Sequence, residues 1–372
     1  MALGVVPRDA EPKAIIPSAL PDEVADQPRP QPRPPANVDV AVHIDAISTR
    51  LLGRDRVDVL EQATALLLRT TRGETVVEAI GDEARSVMGR TPGHMTVVLP
   101  YRDFGVADYE NAGLLLRGLI AQVRKPRQLS RLRVVACVPS GASTLERKTL
   151  RDVCKAAGAW KVALIETSWA AALGADLPIE SPSGHMVLDI GEGASDIGVY
   201  SLSGSVYSSS TRAGLFTADA QVFEYLRYNH NLTIGPTTID KLRSSLLNAE
   251  DASSALGGRI SVVGRDLMQG VPRQVEVSSR QVAEAVRPTW QEIINMCHRA
   301  IQATPEELLR DIRASGIALT GTACQTPGLA ELLETEIGYR FWIPKEGKFA
   351  AVRGAAKVLQ DRALWRVMLG WS

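Results

Sequence analysis

Two aspartates in this chain each stand at the end of an apolar strand, directly before a turn of small residues. Asp45 closes the stretch VHID and precedes AIST, and Asp189 closes MVLD and precedes IGEGAS. A strand-end carboxylate can hold Mg²⁺ through its water ligands, and the backbone N–H groups of the adjacent turn can bind phosphate. The repeated pattern predicts two related halves that face each other across a nucleotide with Mg²⁺.

The second turn contains a residue that conflicts with phosphate binding. Gly191 and Gly193 flank Glu192, although glycine is the residue that suits a turn which a phosphate approaches closely. A carboxylate about 4 Å from a phosphate charge costs roughly 4 kcal/mol at an effective dielectric of about 20. Since each ~1.4 kcal/mol is a tenfold change in affinity, an inward-pointing Glu192 weakens triphosphate binding severely. An outward-pointing Glu192 reduces the repulsion but still leaves strain in a turn that requires positive φ.

Composition sets the broad class of the protein. The 372 residues carry a formal net charge of zero, which gives no global field for binding nucleic acid or an acidic substrate. The cysteines 137, 154, 297 and 324 lack metal-type spacing, so we expect buried, reduced thiols in a cytoplasmic protein. No apolar run approaches the ~20 residues that span a bilayer.

The elements that position the two turns follow from periodicity. Nine of the 21 prolines lie in the first 35 residues, which predicts an extended, disordered Pro-rich tail over residues 1–37; the alternative is a docking peptide for a proline-binding module. From Val38 onwards, strand patterns alternate with helical patterns, as is typical of α/β layers. We expect Pro288 to start or kink a helix. The predicted strands are 38–44, 75–80, 95–99, 132–138, 162–165, 186–190, 196–202 and 205–210, and the predicted helices are 109–123, 144–157, 218–228, 237–247, 279–303 and 350–364.

Several longer stretches carry a family resemblance. They are, in chain order, IGDEARSVMGRTPG, GVADY, VPSGASTLERKTLRD, LIETSWAAALGADLPI, MVLDIGEGASDIGVYSLSG, GRDLMQGVPR, GIALTGTACQTPGLAELLETEIG and AVRGAAKVL. Together they resemble the bacterial actin homologue family MreB from Val38 to Asp361. The resemblance implies an α/β, actin-like (Hsp70-type) ATPase fold, in which two lobes with duplicated RNase H-like sheets enclose a nucleotide cleft. It places lobe I at 38–180, with 350–372 returning to it, and lobe II at 181–349.

The resemblance also implies a function. Family members bind ATP and Mg²⁺ and form filaments beneath the cytoplasmic membrane that organise cell-wall synthesis and maintain cell shape. For this chain it implies self-assembly into protofilaments, or co-assembly with another MreB, in the cytoplasm or at the inner face of the cell membrane.

The first phosphate loop departs from the family pattern. It corresponds to Asp45, Ser48, Thr49 and Arg50, with Ile47 where the family has glycine, and a β-branched side chain blocks close approach of a phosphate. The Arg50 guanidinium either compensates by binding phosphate or points to solvent.

The second loop corresponds to Asp189, Glu192, Gly193 and Ala194. Because Arg50 and Glu192 have opposite charges on the two loops, one prediction is an ion pair between them that substitutes for the phosphate and holds the lobes closed. The alternative is that a partner subunit imposes closure. Asp45 and Asp189 are the implied metal ligands. The implied catalytic residue, which orients the attacking water, is Glu146; the alternative is a surface carboxylate on a helix.

The adenosine-binding surfaces depart as well. The family's glycine-rich adenosine loop corresponds to Gly321, Thr322, Ala323, Cys324 and Gln325, so side chains stand where the purine and ribose would lie over bare backbone. A second segment that flanks the base corresponds to Asp240, Lys241, Leu242 and Arg243. The retained carboxylates and the filled glycine positions together predict a degenerate ATPase, with nucleotide binding weakened or lost.

A basic segment predicts a contact with the membrane surface. Residues Arg124–Arg133 read RKPRQLSRLR, and no acidic residue occurs between Asn111 and Leu145. Each cation near an anionic leaflet contributes about 1 kcal/mol, which suits a filament better than a monomer. A solvated basic loop is the alternative. Nucleic acid is not expected, because no aromatic side chain lies between the cations for base stacking.

The sequence therefore favours an MreB-like scaffold with slow or absent ATP hydrolysis. One alternative is a competent ATP-dependent filament, in which Arg50, Ser195 and backbone shifts compensate for the lost glycines. Another is a small-molecule kinase on the same fold, although no inserted substrate pocket is visible. An Hsp70-type chaperone is disfavoured, because no peptide-binding domain follows the lobes.

Overall fold

The computed structural model describes residues 39–102, 105–123, 131–235, 238–239, 242, 258–326, 328–361 and 364–365. The predicted tail 1–37 and most of the predicted helix 237–247 lie outside the described residues. Within them, no helix is long and apolar enough to cross a membrane.

The described chain alternates strands and helices. The strands are β1 (Asp39–Ile44), β2 (Ser48–Gly53), β3 (Leu60–Ala63), β4 (Leu66–Thr71), β5 (Glu74–Ile80), β6 (Met95–Val98), β7 (Tyr101–Arg102), β8 (Gly105–Val106), β9 (Arg133–Val138), β10 (Lys161–Glu166), β11 (His185–Ile190), β12 (Ser195–Ser201), β13 (Gly204–Thr211), β14 (Leu232–Thr233), β15 (Arg259–Asp266), β16 (Pro272–Ser278), β17 (Ile317–Thr320) and β18 (Phe341–Trp342). The helices are α1 (Asp82–Ser86), α2 (Tyr109–Val123), α3 (Thr144–Ala156), α4 (Thr167–Gly174), α5 (Leu215–His230), α6 (Ser279–Ala303), α7 (Glu306–Ser315), α8 (Leu329–Ile337) and α9 (Ala350–Gln360).

Two five-stranded sheets share one topology. The first has the order β10-β9-β1-β2-β3 and the second has the order β18-β17-β11-β12-β13. In each sheet the central strand, β1 or β11, is antiparallel to the strand that follows it and parallel to the strand on its other side. This repetition confirms the predicted duplication and α/β fold. Asp45 directly follows β1, and Asp189 is the penultimate residue of β11, so the duplication places both aspartates at the same end of their central strands.

Hydrophobic packing joins the two sheets through helices α4 and α9. One buried cluster contains Ala41 and Val135 of the first sheet, Val187 and Ala318 of the second, and most of the apolar residues of the two helices. The two helices are so close that a Cβ on Gly354 would overlap the carbonyl group of Ala170, so glycine at this position permits the contact. The α9 segment packs on the first sheet. The lobe boundaries at residues 180 and 349 stay a prediction.

Secondary structure follows the periodicity closely in the long elements. Helices α2 and α6 have the predicted bounds, and the buried residues of α2 recur at the three- and four-residue spacing of an amphipathic helix. Helix α6 runs through Pro288, so no helix starts there, and the alternative, a kink at Pro288, stays a prediction. Strand β2 was not predicted, and it is the element that carries Ser48, Thr49 and Arg50.

Candidate functional site

The loops after β1 and β11 lie against each other, and Asp45 joins them. The backbone N–H of Glu192 donates to Oδ2 of Asp45 (2.7 Å), and the N–H of Gly193 donates to Oδ1 (2.7 Å). The N–H of Ala46 also donates to Oδ1 (2.8 Å). Both oxygens of this predicted metal ligand are therefore occupied by backbone donors.

Glu192 makes the reciprocal contact with the first loop. Its Oε2 accepts from the backbone N–H groups of Ile47 (2.9 Å) and Ser48 (2.6 Å), and its Oε1 accepts from the Ser48 hydroxyl (2.7 Å). The Glu192 side chain is buried and points inward, which decides between the two orientations expected from the sequence. Neither Glu192 nor its neighbours Gly191 and Gly193 have a positive φ, so the expectation that this turn requires positive φ is wrong.

Arg50 completes this cluster from strand β2. Its Nη2 lies 2.8 Å from Oε1 of Glu192, which confirms the predicted ion pair, and it also donates to the Thr322 hydroxyl (2.7 Å). Arg50 is 0% exposed, so the expectation that it points to solvent is wrong. Burial alone would lower the pKa of Arg50, but the carboxylates of Glu192, Asp45 and Glu61 outweigh burial and raise that pKa above its ordinary value.

Two further charged residues support Arg50. Glu61 on β3 accepts from Arg50 Nε through Oε1 (2.9 Å), and its Oε2 lies 2.6 Å from Lys348 Nζ. Burial would raise the pKa of Glu61, but Lys348 and Arg50 hold it below its usual value. We call Glu61, Arg50, Glu192 and Lys348 the charge cluster. Sequence reasoning missed Glu61 and Lys348; the weak available signal was the opposite charge of Glu61 on the strand that pairs with β2.

A small cavity lies beside the charge cluster. Its volume is about 50 Å³, and its lining includes His43, Asp45, Glu146, Asp189 and Asp196. That volume holds a few water molecules, whereas ligand pockets measure roughly 300–1,000 Å³. The retained carboxylates Asp45, Glu146 and Asp189 therefore come together as the sequence predicts, but around a space too small for a nucleotide.

The carboxylates of this cavity differ in their surroundings. Burial raises the pKa of Asp189 to about 6, although the Thr320 hydroxyl donates to it (2.8 Å). Glu146 instead closes a capping box at the start of α3, where its Oε2 accepts from the Ser143 N–H (2.7 Å). The Glu146 carboxylate thus has a structural role at the helix terminus while it lines the cavity, and its catalytic role stays a prediction.

The remaining predicted contacts divide between the site and the core. Thr322 reaches the charge cluster, whereas Ala323 and Cys324 are buried in a short 3-10 turn, and Gln325 is exposed. The Thr49 hydroxyl contacts the Thr64 hydroxyl (2.9 Å), and Leu242 packs in the hydrophobic core. Residues Asp240, Lys241 and Arg243 lie outside the described residues.

Gly321 has φ 84°, and a Cβ there would overlap the carbonyl group of Ile190, so glycine is required at that position.

This arrangement does not fit bound ATP and Mg²⁺. The N–H groups that would bind phosphate already donate to Glu192 and Asp45. Within the described part of the chain, no group of three or more His, Cys, Asp or Glu side chains is placed to hold a metal ion. A nucleotide would have to displace both carboxylates to reach the loops.

Two sheets of identical topology, each with an aspartate at the end of its central strand that faces a shared cleft, define the actin-like class of proteins. The family model described as MreB/Mbl protein matches residues 37–366, and the chain belongs to this family. It is 32% identical to the cell shape-determining protein MreB of Escherichia coli K12, over 87% of this chain and 93% of that protein. It is 30% identical to the cell shape-determining protein Mbl of Bacillus subtilis 168, over 80% of this chain and 89% of that protein.

Solved structures agree on the fold. MreB5 of Spiroplasma citri bound to AMPPNP superposes with a TM-score of 0.78 at 22% identity, covering 90% of this chain and 99% of that one. A MamK double helical filament gives a TM-score of 0.71 at 17% identity, covering 87% and 99%. The predicted family and actin-like fold are confirmed.

Proposed function

We propose that this chain is an MreB-type cytoskeletal protein that maintains cell shape by forming protofilaments, alone or with another MreB, and that organises cell-wall synthesis as a scaffold. Its relatives are named cell shape-determining proteins, and MamK is a filament. Nucleotide turnover is slow or absent. The observation that carries this last point is the ion pair between Arg50 and Glu192, which joins the two loops directly through their side chains.

The expectation that nucleotide has little effect follows from how a ligand controls a protein with an open and a closed state. A nucleotide closes a cleft when it binds the closed state more tightly than the open one. In this chain Glu192 and Asp45 already make bonds from one loop to the other. Closure therefore needs no phosphate, and ATP adds little differential affinity.

Pelleting and electron microscopy of the purified full chain, with and without ATP and Mg²⁺, test this function. We expect the same amount and form of assembly in both conditions. The matched control is the exposed-site variant Glu180→Ala, which should behave as the wild type does. Assembly that strictly requires ATP would overturn the nucleotide-independent mechanism, and absence of assembly both alone and with another MreB would overturn the scaffold.

We also propose that the assembled protein lies at the inner face of the cell membrane. Of the basic segment Arg124–Arg133, residues 131–133 are described. The Arg131 guanidinium lies 4.6 Å from the ring centroid of Trp160, and Lys161 Nζ lies 4.7 Å from it. Trp160 is 50% exposed. A half-exposed tryptophan between two cations suits an anionic membrane interface, which supports a contact through Arg131, Trp160 and Lys161, the Trp160 patch.

A further inference from the structure

The Glu192 carboxylate is bound as an oxyanion. Its Oε2 receives two consecutive backbone N–H groups of the first loop, and its Oε1 receives the Ser48 hydroxyl and the Arg50 guanidinium. Consecutive N–H groups with an arginine beside them form the kind of concave site that binds phosphate oxygens in proteins. The occupant of this site is a side chain from the opposite loop.

The site contains a hydrogen-bond donor that Glu192 does not use. Arg50 is fully buried, and its Nη1 has no hydrogen-bond partner among the residues that the structure describes. Leaving a buried charged donor unpaired is costly, so such a group is expected where a larger acceptor can bind. A phosphate has more acceptor oxygens than a carboxylate, and it offers them at a similar position.

We propose that Glu192 is a built-in competitor for a latent oxyanion site on the first loop, formed by the Ile47 and Ser48 N–H groups, the Ser48 hydroxyl and Arg50. This inference rests on the proposed function, because it gives the reason why closure needs no nucleotide. A phosphate group binds there when the Glu192 carboxylate is withdrawn, and the wild-type chain excludes it. The alternative is that these four donors bind only the Glu192 carboxylate, as a structural contact, and have no affinity for a free anion.

Inorganic phosphate is the probe, and the thermal unfolding midpoint of the full chain at a concentration below assembly is the readout. A ligand that binds the native state raises this midpoint. We expect millimolar phosphate to raise the midpoint of Glu192→Ala by a few degrees more than that of the wild type or Glu180→Ala. The two comparison proteins correct for the general stabilising effect of phosphate as a salt. In the double variant Arg50→Met, Glu192→Ala the additional rise should be lost.

A second variant, Glu192→Gln, decides the test if Glu192→Ala does not fold. Glu192→Gln keeps the shape of the side chain but lacks its charge, so phosphate should displace it more easily and give a smaller additional rise. If Glu192→Ala folds only in phosphate, the proposal is supported. If Glu192→Ala is unfolded in both conditions, Glu192→Gln decides. Folded variants that respond to phosphate no more than the wild type would overturn the proposal, even if assembly proves independent of ATP. An ATP requirement for assembly would overturn the proposed mechanism while leaving a phosphate response in Glu192→Ala intact.

Discussion

Arg50 and Glu192 are 142 residues apart in the chain, and their side chains meet at 2.8 Å between Nη2 and Oε1. Arg50 is completely buried and Glu192 is nearly so. A buried ion pair adds little net stability over an apolar pair, but removal of one partner leaves an uncompensated charge and costs about 3–5 kcal/mol. The pair therefore fixes how the two loops meet more than it adds to the total free energy of unfolding.

Charge reversal at this pair should disrupt assembly. We expect Arg50→Glu to place two carboxylates together in a buried site and to reduce pelleting strongly. Adding Glu192→Arg restores opposite charges, but the Ile47 and Ser48 N–H groups then lose their acceptor, so recovery should be partial. A double variant that pellets no better than the single variant would show that the ion pair does not hold the loops together.

Removal of the Glu192 side chain should improve nucleotide binding. We expect isothermal titration calorimetry to show weak ATP binding by the wild type and at least tenfold tighter binding by Glu192→Gly, since like-charge repulsion near the phosphates is lost. Glu180→Gly serves as the control for a carboxylate at an exposed position. Tight ATP binding by the unmodified chain would refute the degenerate site.

The charge cluster shows what sequence reasoning reaches and what it misses. Arg50 and Glu192 were predicted to pair because both lie on loops that the family resemblance aligns, and because their charges are opposite. Glu61 and Lys348 were missed, since one lies on a short strand outside every recognised motif and the other lies in the 3-10 turn Gly347–Phe349 directly before α9. Long helices such as α2 and α6 carry enough periodicity to be predicted. Strand β2 is buried along its whole length, so it shows no alternation of buried and exposed residues, and tertiary pairing with β3 rather than local pattern defines it.

Lys348 should stabilise the folded protein through its ion pair with Glu61. The Lys348 ammonium lies 2.6 Å from Glu61, which in turn binds Arg50. We expect Lys348→Met to lower the free energy of unfolding in urea by roughly 1 kcal/mol, because both side chains are partly solvated and the interaction is screened. Lys345→Met, at an exposed position three residues earlier, is the matched control. Equal urea midpoints for the two variants would show that the ion pair of Lys348 with Glu61 does not stabilise the folded protein.

Membrane binding should depend on the Trp160 patch and not on Arg133. The Arg133 side chain pairs with Asp39 and is 12% exposed, so it has little access to a lipid surface. We expect the wild type to sediment with anionic liposomes and to be released by salt, and Arg131→Glu with Trp160→Ser to weaken sedimentation severalfold. Arg280→Glu, an exposed arginine on α6, is the control. If the patch variant sediments as well as this control does, the patch is not the contact.

A buried acid in the cavity makes stability depend on pH. The Asp196 carboxylate is almost completely buried and accepts from the Ser140 N–H (2.6 Å). Burial, with the Asp189 and Glu166 carboxylates adding to it, raises the pKa of Asp196 to about 8 from the ordinary value of 3.8. Between these two values the folded protein holds a proton that the unfolded chain has released.

The unfolding free energy should therefore fall as the pH rises through this window. The folded state binds one proton more than the unfolded state, so the slope is negative, at most about 1.4 kcal/mol per pH unit. Above pH 6 the negative slope belongs mainly to Asp196, because the pKa of Asp189 is about 6. Burial lowers the pKa of His43 to about 3, so His43 contributes an opposing, positive slope that ends near its ordinary pKa of 6.5. Urea unfolding at pH 6 and pH 8 should show this loss in the wild type and much less of it in Asp196→Asn, whose amide oxygen can still accept from Ser140. Asp58→Asn, at an exposed position, is the control, and an unchanged slope in Asp196→Asn would show that Asp196 is ionised in the folded protein.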